Sequence, residues 1–303
     1  MSIFLQDWWL DIVYCNDWNY LSVEENQQLI AVLPYYVKHK FGFRTIMPPP
    51  LSPVNGFWIA YPQNIGRIKR ISLENQVMND FAKQLENMRL AFYSHQYSFH
   101  FQNWLGYYWQ GFTQMSKVAY HIDLTQDWDS IEADIHNKTR RVIRTAKENL
   151  TVKFNAIDAK TFWDINSKSF SRQNLKVPYP YGIFEHLFNE LRSRNKALAI
   201  SIENSQGQII ACLLAVLNAG VCDALVAGTD TDLRSTNATT LAYYEAIRYA
   251  KENSCTLFNF NGSMLQSVET FYRHFGGIQT PYNLIEKRYS TLYSHLRHLK
   301  HGV

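Results

Sequence analysis

The sequence predicts an α/β protein of two consecutive domains that repeat one order of elements. Its 303 residues exceed the size at which a single hydrophobic core stops growing, about 250 residues. The second half repeats the order of strand-like and helix-like patterns in the first half. Residues 25–33 also line up with residues 203–213 at the same step of that order. We therefore expect α/β (α+β) domains at 1–125 and 126–303, each a mixed, mostly antiparallel sheet flanked by helices.

The first half begins with a short helix and continues as strands. The patterns predict a helix at 7–14, strands at 19–23, 28–37 and 43–47, a helix at 72–89, and strands at 97–101 and 118–124. Prolines in 47–56 remove amide donors and restrict the preceding residues, so this segment is predicted to be a shaped loop. The aromatic stretch 104–112 suits either core packing or the wall of a cleft.

The second half has a clearer pattern. It predicts a strand at 151–157, helices at 160–170 and 183–194, strands at 197–203, 208–217 and 221–227, and a helix at 239–251. Glycines at the two turns of the three strands indicate an antiparallel meander.

The stretch 256–277 is the most informative part of this half. Residues 256–260 alternate polar and apolar side chains, and Asn261-Gly262-Ser263 signals a turn. Apolar residues then recur with helical spacing from Leu265 to Phe275, and Gly276-Gly277 provides a left-handed helix end. The order is therefore strand, turn and helix.

The end of this stretch, Phe271-Tyr272-Arg273-His274-Phe275-Gly276-Gly277, resembles the end of the last helix in the GNAT acyltransferase fold. It is also similar to the F-K-x-x-F-G ending of Fem-type peptidyltransferases, which have two tandem domains of that fold. The resemblance implies a transferase of acyl or aminoacyl groups. Its second domain would bind the donor and carry out catalysis, and its degenerate first domain would shape the acceptor site.

Composition sets limits on the other classes. Hydrophobic residues at 46% and charged residues at 18% are typical of a globular protein, and a net charge of +4 does not by itself argue for nucleic acid. The first residues lack a basic region, and no run approaches the roughly 18 apolar residues of a membrane span. The four cysteines lack C-x-x-C spacing, which favours free thiols. We expect a cytoplasmic protein without a membrane span.

The resemblance implies a binding segment for the donor in the loop before the 239–251 helix. The pyrophosphate of coenzyme A would meet Arg234, Ser235, Thr236 and Asn237, because a helix N-terminus exposes amides at its positive end. The alternative is plain helix capping by Thr236 or Asn237. This loop lacks the glycine-rich R/Q-x-x-G-x-G/A form of GNAT enzymes.

The resemblance also implies two catalytic candidates. Tyr272 would protonate the departing thiolate, a role that a tyrosine near this position has in many GNAT enzymes. Fem-type proteins often have lysine there, so the tyrosine favours a thioester donor. The alternative is a half-buried helix tyrosine with a packing role. Arg273 would contact a phosphate or solvent.

Candidate substrate-binding residues lie in two further segments. A helix predicted over 130–149 has Arg140, Arg141 and Arg144 on its polar face, which suits the phosphates of a nucleotide-linked substrate or of tRNA. The alternative is an ordinary solvated face. Tyr179 and Tyr181 lie in a proline-rich loop that would form either the rigid edge of a cleft or a simple connector.

Other chemistry has no support in the sequence. The histidines and cysteines show no metal-ligand spacing, and there is no G-x-S-x-G or G-K-[ST] motif. Three acids, Asp223, Glu245 and Glu269, are candidates for a general base, and the sequence does not rank them. The expected function is transfer of an acyl group from acyl-CoA to an amine. Two alternatives remain: transfer from aminoacyl-tRNA to a cell-wall peptide precursor, and a GNAT-fold scaffold without turnover.

Overall fold

A computed structural model describes residues 2–171, 174–230, 237–262 and 264–301. The chain divides into two compact units, one formed by Met1–Lys117 with Pro281–Val303 and the other by Val118–Thr280. This division differs from the expected 1–125 and 126–303, because the chain after residue 280 returns to the first unit.

The first unit contains elements from both ends of the chain. It begins with a 3-10 helix at Ile3–Leu5. Its helices are α1 (Asp7–Val13), α2 (Arg67–Asn87), α3 (Leu105–Tyr108) and α10 (Thr291–His301). Its strands are β1 (Asn19–Glu25), β2 (Gln28–Tyr35), β3 (Val37–Lys40), β4 (Phe43–Ile46), β5 (Trp58–Ile59) and β6 (Phe92–Gln96), together with parts of β7 (Thr113–Asp123) and β13 (Ile278–Arg288).

The second unit contains the ends of β7 and β13 and all elements between them. Its helices are α4 (Trp128–Asp134), α5 (Asn137–Asn149), α6 (Ala159–Ser171), α7 (Tyr181–Ser193), α8 (Ala238–Glu252) and α9 (Gln266–Arg273). Its strands are β8 (Thr151–Phe154), β9 (Ala197–Glu203), β10 (Ile209–Asn218), β11 (Val221–Thr229) and β12 (Leu257–Gly262).

The first unit has two groups of strands around α2. Strands β1, β2 and β5 form a small antiparallel sheet. Strands β3, β4, β6 and β13 are neighbours in a second sheet, in which β4 and β6 run parallel. Helix α2 contributes Val77, Phe81 and Leu85 to the core, where each is fully buried. This buried stripe explains why a long amphipathic helix forms here.

The second unit has one sheet with helices on both faces. Its strand order is β7-β12-β11-β10-β9-β8, and every pair except β11 with β12 is antiparallel. Alternate residues of β10 serve the two faces: Leu213 packs in the core with Leu241 of α8, while Cys212 contacts Phe162 of α6. A strand covered on both faces reads as a continuous apolar run, as β10 does.

The two stretches that line up in sequence occupy equivalent hairpins. Residues 25–33 contain the turn between β1 and β2, and residues 203–213 contain the turn between β9 and β10. Each stretch therefore begins at the end of one strand and continues along its antiparallel partner.

Two predictions of elements are wrong in their extent. The predicted helix 130–149 is two helices, because Ile135 is extended and buried and His136 caps α5 by accepting a hydrogen bond from the Lys138 amide. The predicted strand 97–101 lies earlier, at β6, because α2 ends at Asn87. Helix α10 has no counterpart among the predicted elements, and its first turn buries Tyr293.

Two general predictions can be compared with the structure. Cys212, Cys222 and Cys255 are buried free thiols, as predicted, and Cys15 is an exposed one. Among the helices that the structure describes, none combines the length and apolar composition needed to cross a membrane.

Candidate active site

The central feature of the second unit is the divergence of β11 from β12. These parallel strands pair only along Val221–Asp223 and Leu257–Asn259. Beyond Asp223 the backbone ladder stops, and the two strands separate. The gap lies at the carboxyl ends of parallel strands, where ligands of α/β sheets characteristically bind.

Irregular pairing on both strands accompanies this divergence. In the ladder with β10, Ala215 pairs with Ala224 but Leu214 pairs with Val226, so Leu225 is an extra residue in β11. A bulge leaves its extra residue unpaired and bends the strand. In β12 the register against β7 shifts between Asn259 and Gly262.

Asn261 bridges the separated strands. Its backbone has a positive φ of 59°, a conformation that asparagine tolerates better than most residues. Its side-chain amide donates a hydrogen bond of 2.6 Å to the Ala224 carbonyl, and its backbone amide donates to the Asn259 side chain at 2.8 Å. The first bond links β12 to β11 beyond the end of their ladder, and the second stabilises the backbone of β12 at Asn261.

A cavity of about 560 Å³ lies in this gap, within the usual range for ligand sites. Its walls are mainly apolar and aromatic, with a few polar groups. It is lined by Phe170, Ala224, Leu225, Ala227, Thr239, Tyr243, Phe260, Asn261, Gly262, Ser267, Val268, Phe271 and Tyr272. The structure therefore brings β11, β12, α8 and α9 together around one pocket.

Tyr272, the predicted acid, lies in the wall of this cavity near the end of α9. Its ring packs against Phe260 with a centroid separation of 4.8 Å. Burial raises the pKa of Tyr272, and the neighbouring Tyr243 hydroxyl acts in the opposite direction. The group therefore stays protonated at neutral pH and has a proton to give.

Arg273, the other predicted catalytic residue, is not among the residues that line the cavity. Its guanidinium pairs with Glu269 one turn earlier, at 2.9 Å, and is exposed. Glu269 also accepts a hydrogen bond of 2.8 Å from the Tyr120 hydroxyl. These contacts show Arg273 as one member of an ion pair on the surface of α9.

The predicted donor-binding loop lies largely outside the described residues. Arg234, Ser235 and Thr236 are among the residues that the structure does not describe, so their contact with the pyrophosphate of coenzyme A stays a prediction. Asn237 is described: it precedes α8 with a left-handed φ of 74° and makes no side-chain capping hydrogen bond. Thr239 in the first turn of α8 lines the cavity, so this helix begins beside the proposed donor site.

The predicted arginines lie on α5. Arg140 and Arg144 line a second, smaller depression of about 300 Å³ with Lys147 and Tyr244, whereas Arg141 is not part of its lining. The Arg140 guanidinium donates to the carbonyl of Glu132 at 2.9 Å, at the end of α4. The Lys147 ammonium lies 4.2 Å from the Tyr244 ring centroid.

The two predicted substrate tyrosines have local partners. The Tyr179 hydroxyl is buried and donates to Asn166 at 2.9 Å, while Tyr181 donates to Glu185 at 2.7 Å. Both rings pack edge-on against Trp163. These contacts fit the connector interpretation of this loop, in which the tyrosines fix α6 against α7.

The structure separates the three candidate bases. Glu245 pairs with Lys147 and Arg248, and the hydrogen bond from Arg273 is the main cause that lowers the pKa of Glu269. Burial raises the pKa of Asp223 to about 6, against a hydrogen bond from Asn259. Asp223 therefore has the environment of a base, but it does not line the cavity.

Sequence reasoning missed two residues of the site, Tyr243 and Asn261. Tyr243 falls within a predicted helix as one apolar residue among several, and nothing in its spacing marks a ligand. Asn261 falls within the turn that the sequence predicts at Asn261-Gly262-Ser263, and a turn residue is not by itself a sign of a ligand site. The available signal was a pair of asparagines, Asn259 and Asn261, within an otherwise apolar strand end, because buried amides need partners.

The gap between β11 and β12 indicates the class of protein. Parallel strands that diverge at a bulge, with a cavity between them and a helix starting beside it, define a GNAT-type α/β unit. Residues 133–272 match the family model described as an acetyltransferase (GNAT) domain. The chain as a whole has the Fem-like tandem GNAT fold, and the resemblance predicted from its sequence is confirmed.

Solved structures support this assignment over nearly the full length. The chain is similar to FemX at 11% identity, covering 93% of this chain and 92% of that one with a TM-score of 0.68. It is similar to L-PGS from Bacillus licheniformis at 10% identity, covering 94% and 89%, with a TM-score of 0.59. A tandem GNAT protein from the clavulanic acid biosynthesis pathway matches at 8% identity, covering 89% and 83%, with a TM-score of 0.55.

At such identities these similarities concern the fold. No curated protein sequence matches the chain significantly. The family match over residues 133–272 supports a transferase, specifically an acyltransferase.

Proposed function

We propose that the protein transfers an acyl group from a thioester, such as an acyl-CoA, to an amine acceptor. The observation that carries this proposal is the cavity between β11 and β12 with Tyr272 in its wall. An extended thioester arm that enters this gap would offer amide groups to strand edges that have lost their ladder partners. The apolar walls would exclude water from the thioester.

The proposed chemistry has two steps. The acceptor nitrogen attacks the thioester carbonyl, forms a C–N bond, and loses its proton to solvent. Backbone amides of the separated part of β11 stabilise the oxyanion. The intermediate then collapses, the C–S bond breaks, and the Tyr272 hydroxyl gives its proton to the departing sulfur.

Donor binding is the first test of this function. We would titrate the protein with coenzyme A, acetyl-CoA and a longer acyl-CoA and record thermal unfolding, because a ligand that binds only the folded state raises the unfolding temperature. Ser267 is an exposed residue in the cavity wall, so Ser267→Trp should abolish the shift. Ser193→Trp, at an exposed site on α7, is the control and should keep it.

Arg234→Ala tests the predicted pyrophosphate contact separately. A wild-type shift that survives Ser267→Trp would place the ligand elsewhere. Absence of any shift at millimolar ligand would reject the thioester donor.

An aminoacyl-tRNA donor is the second candidate. The depression on α5 favours it, because Arg140 and Arg144 line it together with Lys147, and clustered cations suit the phosphates of a polyanion. Glu132 and Glu148 also line this depression, so the arginines are the residues to test. Filter binding of tRNA should then weaken steeply with salt and further in Arg140→Gln/Arg144→Gln. Lys176→Gln removes an exposed lysine elsewhere in the second unit and is the matched control. Failure of both donors would favour the scaffold alternative.

A further inference from the structure

A group of exposed apolar side chains lies on the first unit. Its members are side chains of α2, of α3 and of the residue that follows α3, and we refer to them as the α2–α3 patch. They are Ile68, Ile71, Leu105, Tyr108 and Trp109, with exposed fractions of 82%, 41%, 45%, 57% and 57%. Single exposed apolar residues are common, but a group that includes tryptophan and tyrosine indicates an interaction surface.

Helix α3 packs closely against α2. A Cβ on Gly106 would lie 2.7 Å from the Asn75 carbonyl oxygen, so only glycine lets the two helices approach this closely. Gln110 donates to the Asn79 side chain at 3.1 Å. Ile68, Ile71 and Asn75 occupy one stripe of α2, which places the isoleucines directly before the point where α3 packs.

The charge at the start of α2 is positive. Arg67 and Lys69 are exposed beside Ile68, and residues 61–73 contain no aspartate or glutamate. The next acid, Glu74, is buried and accepts hydrogen bonds from Arg70, Tyr61 and Asn103. Near α3 the charge is mixed, because Asp80 and Glu86 of α2 pair with Lys83 and Lys287. An anion would therefore approach the patch from the start of α2.

The first turn of α2 departs from the usual rules for a helix start. It has no acidic residue, its N-cap Gly66 offers no side chain, and three cations lie where the helix dipole is positive. The dipole disfavours such charges in the free protein. Anionic groups beside these cations would offset their unfavourable interaction with the helix dipole.

We propose that the α2–α3 patch docks on an anionic lipid bilayer. Tryptophan and tyrosine favour the membrane interface, where their rings lie among the headgroups, while isoleucine and leucine enter the acyl boundary. Lysine and arginine near the surface are attracted to anionic headgroups. A second copy of the chain fits less well, because a symmetric contact would bring the same cations face to face.

Vesicle sedimentation tests the proposal. The wild-type chain should bind vesicles of phosphatidylcholine in which roughly a third of the lipid is phosphatidylglycerol. It should bind vesicles of pure phosphatidylcholine at least about tenfold more weakly. Arg67→Gln/Lys69→Gln should weaken binding about 25-fold, since each cation contributes about fivefold, or about 1 kcal/mol. Ile68→Ser/Trp109→Ser should reduce binding to background.

Two controls separate the patch from general effects. Leu292→Ser removes an apolar residue that is 61% exposed on α10, and Lys176→Gln removes an exposed cation of the second unit. Both should bind vesicles as the wild type does, and all variants should unfold at the wild-type temperature.

Two results would overturn the proposal. One is equal binding of the wild type and the patch variants, and the other is no binding to anionic vesicles. If sedimentation velocity instead shows a wild-type dimer that Ile68→Ser/Trp109→Ser converts to a monomer, without vesicle binding, the patch is a contact between copies.

Discussion

The rings of Tyr243 and Tyr272 lie next to each other in the wall of the cavity, with centroids 6.1 Å apart and planes inclined by 54°. Burial is the main cause that raises the pKa of both residues, and the neighbouring Tyr243 hydroxyl acts to lower the pKa of Tyr272. The cavity wall therefore holds a protonated tyrosine whose acidity depends on a buried neighbour.

Tyr272→Phe removes the proposed acid and keeps the ring. We expect kcat with an acyl-CoA donor to fall about 10²-fold to 10⁴-fold, the usual contribution of general acid catalysis. Donor binding, measured by thermal shift, should change little because the aromatic wall remains. Tyr249→Phe, on α8, is the control and should keep wild-type activity. Unchanged kcat in Tyr272→Phe would remove Tyr272 from the mechanism.

Tyr243→Phe tests the influence of this neighbour on the acid. Tyr272 keeps its own proton but loses a neighbouring hydroxyl that lowers its pKa, so we expect a smaller loss of kcat than in Tyr272→Phe. We also expect the alkaline limb of the pH–rate profile to move to higher pH, because burial is then less opposed. A purely structural role would lower stability without moving that limb.

The elements around Tyr272 could be predicted from the sequence because they depend on local patterns, whereas the role of Tyr272 stays a prediction that rests on the family resemblance. Helical spacing and the glycines after Phe275 place the end of α9, and alternation marks β12. The cavity could not be predicted, because it depends on where β11 and β12 stop pairing. That point is set by the extra residue Leu225 and by the Asn261 bridge, which are properties of tertiary pairing.

The domain boundary could not be predicted for a similar reason. Residues 278–288 read as an ordinary continuation of the second half, and only strand pairing shows that Leu284–Arg288 belongs with β6 of the first unit. The break between α4 and α5 also depends on tertiary packing, because the backbone leaves the helical conformation at Ile135, whose side chain is buried. In contrast, the free cysteines and the meander of β9, β10 and β11 follow from composition and turn glycines.

Gly228→Ala tests the close approach of β11 to α6. A Cβ at this position would lie 2.6 Å from the Asn166 Cα and 2.8 Å from its backbone nitrogen, and backbone atoms cannot move aside independently. We expect a loss of about 1–3 kcal/mol in the free energy of unfolding, typical of overpacking. Urea unfolding measures it. Gly182→Ala, where no atom lies within 4 Å of the added Cβ, is the control and should change stability far less.

His95 makes the stability of the protein depend on acid pH. Its side chain is fully buried on β6, its Nδ1 lies 3.2 Å from the Tyr93 hydroxyl, and its Nε2 has no hydrogen-bond partner in the part of the chain that the structure describes. Burial lowers the pKa of His95 from 6.5 to about 3. Between about pH 3 and pH 6.5, therefore, the unfolded chain binds a proton at His95 and the folded chain does not.

The contribution of His95 to stability is thus fully present above pH 6.5 and is lost as the pH falls toward 3. The slope for one proton is about 1.4 kcal/mol per pH unit. We expect His95→Phe to unfold in urea with a flatter pH dependence between pH 4 and 6.5 than the wild type. His295→Gln, which changes an exposed histidine on α10, should leave the slope unchanged. Parallel curves for the wild type and His95→Phe would show that the folded protein accommodates a charged His95.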